Sequence, residues 1–368
     1  MKQEMNDPGV KYIEEFRDKE MVLNLSGRIR DSVTGEYSFM EVCGGHTAAI
    51  HRFGIPSLLP PAIRLVSGPG CPVCVTGVDY IDKAVAYSRL DNIIICTFGD
   101  LMKVPGTGSS LEKERAGGAD VRLVLSCLDA LEIAEYNPGK TVIFLAIGFE
   151  TTAPGSAVTI LRAREKGIRN FRVLAAHKVM PPAMKALVTG ESKLDGFICP
   201  GHVAAITGSM AFEFLPGDFG LACVVTGFEP TDILLSVLML VKQVNSGKPA
   251  VEIEYSRAVT RLGNSIAQER LSRVFEPCDA AWRGLGMIPG SGLRLRRDFE
   301  EFDAEITFPL DIALREENRS CICGRILKGL NTPVDCKLFG KSCTPESPAG
   351  ACMVSAEGAC NVYYRYPE

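Results

Sequence analysis

Between residues 38 and 250, short runs rich in Val, Ile, Leu and Phe alternate with amphipathic stretches of helical period. Apolar runs of that length, too continuous for one wet face, read as strands buried on both sides of parallel sheets. The clearest are Asn92 to Thr97, Val121 to Ser126, Thr141 to Ile147, Phe171 to Ala176, Gly196 to Cys199 and Leu221 to Thr226. Helices are expected near 77–90, 154–166, 181–189 and 230–246. Several runs end in Gly, His or an acid: Phe98-Gly99-Asp100, Gly148-Phe149-Glu150, His177, Pro200-Gly201-His202 and Gly227-Phe228-Glu229. In open α/β sheets, ligands bind at the carboxyl ends of the strands. Gly148-Phe149-Glu150-x-Thr152 and Gly227-Phe228-Glu229-x-Thr231 echo each other, as two similar lobes or as one turn chemistry used twice.

At 368 residues the chain exceeds the size of one core, so two or three domains are expected. The net charge of −4 comes without a basic block, so nucleic acid is not an expected partner. No apolar run reaches the roughly 18 residues of a membrane span, and Met1-Lys2-Gln3-Glu4-Met5 has no signal-peptide character. A cytoplasmic protein is expected, with no membrane partner. Fourteen cysteines in a reducing compartment then mean metal ligation, redox chemistry or apolar packing. Cys96, Cys127, Cys199, Cys223 and Cys278 sit in or beside apolar segments and read as core residues.

Strand 38–42 runs into Cys43-Gly44-Gly45-His46-Thr47, which opens a helix through His51. A cysteine at a helix mouth feels the positive end of the dipole, which favours thiolate. The glycine pair allows another group to approach closely, although alone such a segment also makes a structural turn. Ser67-Gly68-Pro69-Gly70-Cys71-Pro72-Val73-Cys74 carries a CxxC, suited to a reversible disulfide or to two legs of a metal site. His46 and His202 lie in glycine-flanked turns at strand ends. Asp100 and Glu150 follow strands directly, where an acid caps a helix or handles a proton.

Cys323, Cys336, Cys343 and Cys360 form a C-x12-C-x6-C-x16-C array, in a segment broken by Pro333, Gly340, Pro345, Pro348 and Gly350. Such a segment needs a metal or disulfides to hold it. Four thiolates suit tetrahedral zinc or an iron–sulfur cubane, and the uneven gaps favour the cluster over paired zinc knuckles. Cys321 and Cys352 remain in the same region, as a second redox pair or as spare thiols. The division expected is an N-terminal helix within 1–30 (Lys11 to Ile29), an α/β lobe over 31–130 with Cys43 and the CxxC, and a second α/β lobe over 131–250. An irregular, mostly helical cluster domain follows over 251–368, with a charged helix near 257–273 and irregular sequence around Trp282.

In their order, Cys43-Gly44-Gly45-His46-Thr47, Gly68-Pro69-Gly70-Cys71-Pro72-Val73-Cys74, Thr97-Phe98-Gly99-Asp100, Gly148-Phe149-Glu150-Thr151-Thr152, Pro200-Gly201-His202 and the cysteine tail resemble the HypD family of hydrogenase maturation factors. The resemblance covers residue 38 to the C-terminus. It implies two α/β lobes plus a [4Fe–4S] domain, and a scaffold on which the Fe(CN)2CO unit of nickel–iron hydrogenases is assembled with a HypC-type chaperone. A HypE-type protein, with HypF, would donate the cyanide. Cys43 would hold the iron opposite a chaperone cysteine, and Cys71 and Cys74 would form the redox pair and count with Cys43 as the residues at that iron. Cys323, Cys336, Cys343 and Cys360 would hold the cluster. His46 and Asp100 would move protons or place the incoming ligand, and Glu357 lies beside the last cluster cysteine. One departure stands out: the family pattern is Cys-Gly-Gly-His-Thr-His, and this chain has Ala48 at the final position.

Two other readings use the same residues. One is an iron–sulfur-dependent disulfide reductase working through Cys71 and Cys74 on an external substrate. The other is a zinc-stabilised α/β binding module. Cys43 separates the first from a scaffold, and the bound metal separates the second.

Overall fold

In the computed structural model, which describes residues 14–190, 193–311 and 320–367, the apolar runs become two parallel sheets. One contains β1 (Tyr37–Glu41), β2 (Ile63–Ser67), β7 (Gly196–Pro200), β8 (Ala222–Thr226) and β9 (Val251–Ile253), in the spatial order β2-β1-β7-β8-β9. The other contains β3 (Ile93–Thr97), β4 (Val121–Leu123), β5 (Thr141–Gly148) and β6 (Phe171–His177), ordered β4-β3-β5-β6. Every residue of β3, β7 and β8 is buried, which is why those runs carry no alternation. The fold is α/β, as expected.

The chain starts the first sheet, leaves to build the whole of the second, and returns. A linear division at residue 130 therefore does not follow the sheets: β5 and β6 join β3 and β4, while β7 to β9 extend the sheet begun by β1 and β2. Hydrophobic periodicity identifies strands but not their partners, so nothing local marks the return.

Phe39, Ile198 and Val224 pack on one face of the first sheet beneath the helices Lys19–Ser32 and Pro230–Ser246. The N-terminal helix is thus present but shifted: Asp18 caps it through the N–H of Met21, and Lys11 to Ile13 of the expected span lie outside the described residues. A further core joins Met40, Val66, Phe197 and Val225 of one sheet to Ile95, Ile143 and Leu174 of the other, and continues into Cys323, Ile326, Met353 and Cys360. Each such large side chain, fully buried, stabilises the fold by about 1.5–3 kcal/mol.

The stretch around Trp282 is not irregular. It forms an antiparallel hairpin, β10 (Phe275–Trp282) with β11 (Gly286–Leu295), whose Phe275, Leu293 and Leu295 pack on the second sheet. Glycines at 284, 286 and 290, all with positive φ, and a bulge between Cys278 and Ala280 break the period-two signal. The charged helix runs over Ser265–Val274, capped by Asn264, and β9 belongs to the first sheet. The cysteine segment after residue 320 is built of short helices: Cys323–Leu327, Ala351–Val354 and Ala359–Arg365.

Candidate functional site

Each sheet reverses its strand order once. In the first, β1 leads to β2 on one side while β7 lies on the other. In the second, β3 leads to β4 on one side while β5 lies on the other. Such switch points open a crevice at the carboxyl ends of the strands. Cys43 follows β1 and Asp100 follows β3, so one candidate stands at each crevice. They meet through the C-terminal segment: Ser355 Oγ donates to Asp100 Oδ2 at 2.8 Å, and Glu357 folds over Gly44.

Cys43 is the N-cap of the helix Gly44–Arg52 and remains partly exposed. Its N–H donates to Glu41 Oε2 at 3.1 Å, and Thr47 Oγ1 donates to Glu41 Oε1 at 2.5 Å. Glu41 is 1% exposed, and burial pushes its carboxyl up to about 8. The two neighbouring glycines are required by packing. A Cβ on Gly44 would stand 2.6 Å from Glu357 Cβ, and one on Gly70 would stand 2.2 Å from the nitrogen of Cys43. Gly44 N–H donates to Gly70 O at 2.9 Å, which locks the CxxC loop against the Cys43 backbone.

The expected thiolate at Cys43 is not what this environment favours. Burial, then the charges of Glu357 and Glu41, push the thiol up to about 12, outweighing the helix mouth. A thiol near two carboxyl groups loses its proton more readily to a metal cation, whose charge offsets theirs.

His46 is fully buried and stacks on Phe228 (ring centroids 4.4 Å apart), and His202 stacks on the same ring at 3.9 Å. Nε2 of His46 lies 2.9 Å from Gly227 O, which makes it the protonated nitrogen, and its Nδ1 has no hydrogen-bond partner. Burial lowers His46 to about 4, so the ring stays neutral at physiological pH. His202 is exposed and is also lowered by partial burial. His51 packs at a tilt against Tyr363 instead.

Glu150 stands apart from this group. It is buried at the end of β5, where Oε1 accepts the N–H of Met180 at 2.9 Å and so holds the start of the helix Met180–Val188. Its echo Glu229 caps the helix Pro230–Ser246 in the other sheet. The repeated Gly-Phe-Glu thus follows a strand in each sheet but is built differently: Thr152 caps the helix after the first and Glu229 the helix after the second, and of the two glycines Gly148 alone has a positive φ.

The cysteines form a line. Cys71 caps a single-turn helix, Pro72–Val75, by accepting the N–H of Cys74, and the two sulfurs lie 2.7 Å apart. Cys74 also hydrogen-bonds Cys352, whose sulfur lies 2.7 Å from that of Cys323. Cys323 in turn contacts Cys321. The line ends in a small pocket lined by Cys321, Cys323, Cys336, Cys343, Cys352 and Cys360. The pairing differs from the one expected: Cys352 meets Cys323 rather than Cys321. Among the described residues, no three His, Cys, Asp or Glu side chains converge on one metal-ion position. Cys96, Cys127, Cys199 and Cys223 are buried core residues, whereas Cys278 is partly exposed.

Glu41, Phe228 and Ser355 were not among the sequence candidates. Glu41 falls in an apolar run, where an acid that cannot face water is the one available signal. Phe228 and Ser355 carry none, since their roles come from strand order and chain return.

The HypD family model, described as "Hydrogenase formation hypA family", matches residues 20–367. The hydrogenase maturation factor HypD2 of Bradyrhizobium diazoefficiens is 48% identical, with 97% of each chain covered. HypD of Azotobacter vinelandii is 46% identical over 97% of both chains. HypD of Escherichia coli K12 is 42% identical, covering 97% of this chain and 98% of its own. Among the described residues, no helix is long and apolar enough to cross a membrane. With switch-point cysteine, CxxC line and cysteine cavity in family order, the chain belongs to the HypD family of hydrogenase maturation factors.

Proposed function

We propose that this protein is the scaffold on which the Fe(CN)2CO unit is assembled, with a HypC-type chaperone bound over Cys43 and a HypE-type donor, with HypF, delivering cyanide. The observation that carries the reading is the unbroken line of sulfurs from the cysteine cavity to the loop locked against Cys43. The cargo iron meets the Cys43 thiol, on which the carboxyl groups of Glu41 and Glu357 act. A ferrous ion held there by a thiolate of each protein keeps open positions for cyanide and carbon monoxide. The cleft lined by Phe228, Glu229, Tyr255 and Arg257 lies beside the His46–Phe228–His202 stack and offers the chaperone a surface.

The six cysteines of the pocket that ends the sulfur line supply the soft donors that a [4Fe–4S] cluster needs. A cubane takes each thiolate on its own iron, so sulfurs spread around a wall suit it better than they suit a single tetrahedral ion. Cys323 contacts both Cys352 and Cys321; with Cys323 and Cys352 taken as the second redox pair, the four cysteines left in the pocket for the cluster are Cys321, Cys336, Cys343 and Cys360. This exchanges Cys321 for Cys323 relative to the spacing argument. When bound, the cluster supplies electrons one at a time. The chain's own thiols do the rest: a disulfide at Cys323–Cys352 or Cys71–Cys74 takes two electrons and two protons to give two thiols, and exchange through Cys74 and Cys352 links the pairs.

Cys71 and Cys74 are 3% and 0% exposed, which bars a macromolecular disulfide and counts against the external-substrate reductase. The test is a pair of serine variants purified anaerobically. Cys321→Ser loses most of its iron and sulfide. Cys323→Ser retains both yet fails to support hydrogenase maturation. Retained maturation in Cys323→Ser contradicts the sulfur line.

A further inference from the structure

Ser355 lies in the stretch between Cys352 of the sulfur line and Cys360 of the cysteine pocket, and two close approaches pin that stretch. A Cβ on Gly358 would stand 2.3 Å from Cys352 O, so the chain packs back against the helix Ala351–Val354. A Cβ on Gly44 would stand 2.9 Å from Glu357 O and 3.0 Å from Glu357 Oε2, so the Glu357 side chain lies along the first turn of the helix that Cys43 caps. Asn361, 1% exposed, holds the far limb by donating to Met353 O at 2.8 Å.

Ser355 is the junction of this stretch and is itself 1% exposed. Its hydroxyl works as donor and acceptor at once: the O–H donates to Asp100 Oδ2 at 2.8 Å, and the oxygen accepts the N–H of Glu357 at 3.3 Å. Gly358 N–H donates to Ser355 O at 3.0 Å and closes the turn. Asp100 comes from the other sheet, in the turn Gly99–Leu101 after β3, and is exposed. One hydroxyl therefore ties an acid of the second sheet to the main chain of Glu357, whose side chain lies over the Cys43 helix of the first.

Removing Asp100 leaves a buried hydroxyl without its acceptor, and removing the hydroxyl takes a partner from Asp100 and from Glu357 N–H together. A group beside reacting atoms is only as well placed as the residues that hold it. We propose that Ser355 is a positioning residue for the iron reaction: anchored by Asp100, it holds Glu357 over Cys43, and the site requires the acceptor oxygen of Asp100 rather than its charge. The proposal rests on the scaffold reading above.

The test is an infrared spectrum of the anaerobically purified full chain, co-expressed with its chaperone and cyanide donor, with the bands of iron-bound cyanide and carbon monoxide normalised to sulfide, which counts the cluster alone. Wild type is compared with Ser355→Ala, Asp100→Ala, Asp100→Asn and the double variant Ser355→Ala/Asp100→Ala. Ser355→Ala and Asp100→Ala each lower the normalised bands on the order of tenfold, the scale of a misplaced group near the chemistry. The double variant falls no further than either single change, because both break one bond. Asp100→Asn, which keeps an acceptor for the hydroxyl, stays near wild type. Wild-type bands in Ser355→Ala overturn the proposal, as does a double variant whose loss is the product of the single losses. Loss in Asp100→Asn as deep as in Asp100→Ala also overturns it, by making the charge the requirement. If Ser355→Ala fails to fold and carries no sulfide, Asp100→Ala against Asp100→Asn decides on the same criterion, since Asp100 is exposed and its replacement opens no core. Wild type without bands would instead refute the scaffold reading itself.

Discussion

Cys43 sits where a helix dipole stabilises thiolate, yet burial and two carboxyl groups hold its proton in place. Neutralising one of those groups lowers the thiol's pKa, so Glu357→Gln is expected to alkylate faster at Cys43 than wild type in metal-free protein at pH 8, measured by peptide mass spectrometry. An unchanged rate contradicts the electrostatic account. Glu150 makes the contrast. Burial raises its carboxyl from 4.5 to about 7, so between those pH values the folded state holds a proton that the unfolded chain releases. That contribution is present below pH 4.5 and is lost as pH rises through 7, at up to about 1.4 kcal/mol per pH unit. Glu150→Gln flattens that fall in a thermal-unfolding series and leaves maturation intact. The cysteine and histidine candidates were visible in the sequence because their residue types are unusual beside glycine at strand ends. The state of Cys43 was not, because it depends on Glu357, more than 300 residues away in the chain.

At the scale of elements, the buried strands were legible from continuous apolar runs, to within a few residues. β4 is the exception: Ser126, expected in the strand, caps the next helix in a box with Asp129. The hairpin escaped because its glycines break alternation, and one of them, Gly284, permits a close approach to Gly324. Loop glycines matter equally at Cys43. A Cβ at residue 70 meets the Cys43 backbone, which cannot yield as a flexible side chain would. Gly70→Ala is therefore expected to destabilise the fold by about 1–3 kcal/mol and to abolish maturation, while Gly99→Ala, with nothing within 4 Å, changes neither. Denaturant unfolding with a maturation assay checks both.

Across the whole molecule, the chain's departure and return bring Cys43, Asp100 and the C-terminal cysteines to one place. None of this is legible from local pattern, since the return of β7 beside β1 spans more than 150 residues. The order of the motifs was legible, and the comparisons agree with it. Sequence spacing put Cys323 among the cluster ligands; in the folded chain its sulfur contacts both Cys321 and Cys352. The central claim is that Cys43 holds iron carrying diatomic ligands. The direct measurement is an infrared spectrum of the anaerobically purified chain, co-expressed with its chaperone and cyanide donor, compared with Cys43→Ala. The account predicts bands of iron-bound cyanide and carbon monoxide in the wild type and their loss in Cys43→Ala. Bands that persist in Cys43→Ala contradict it.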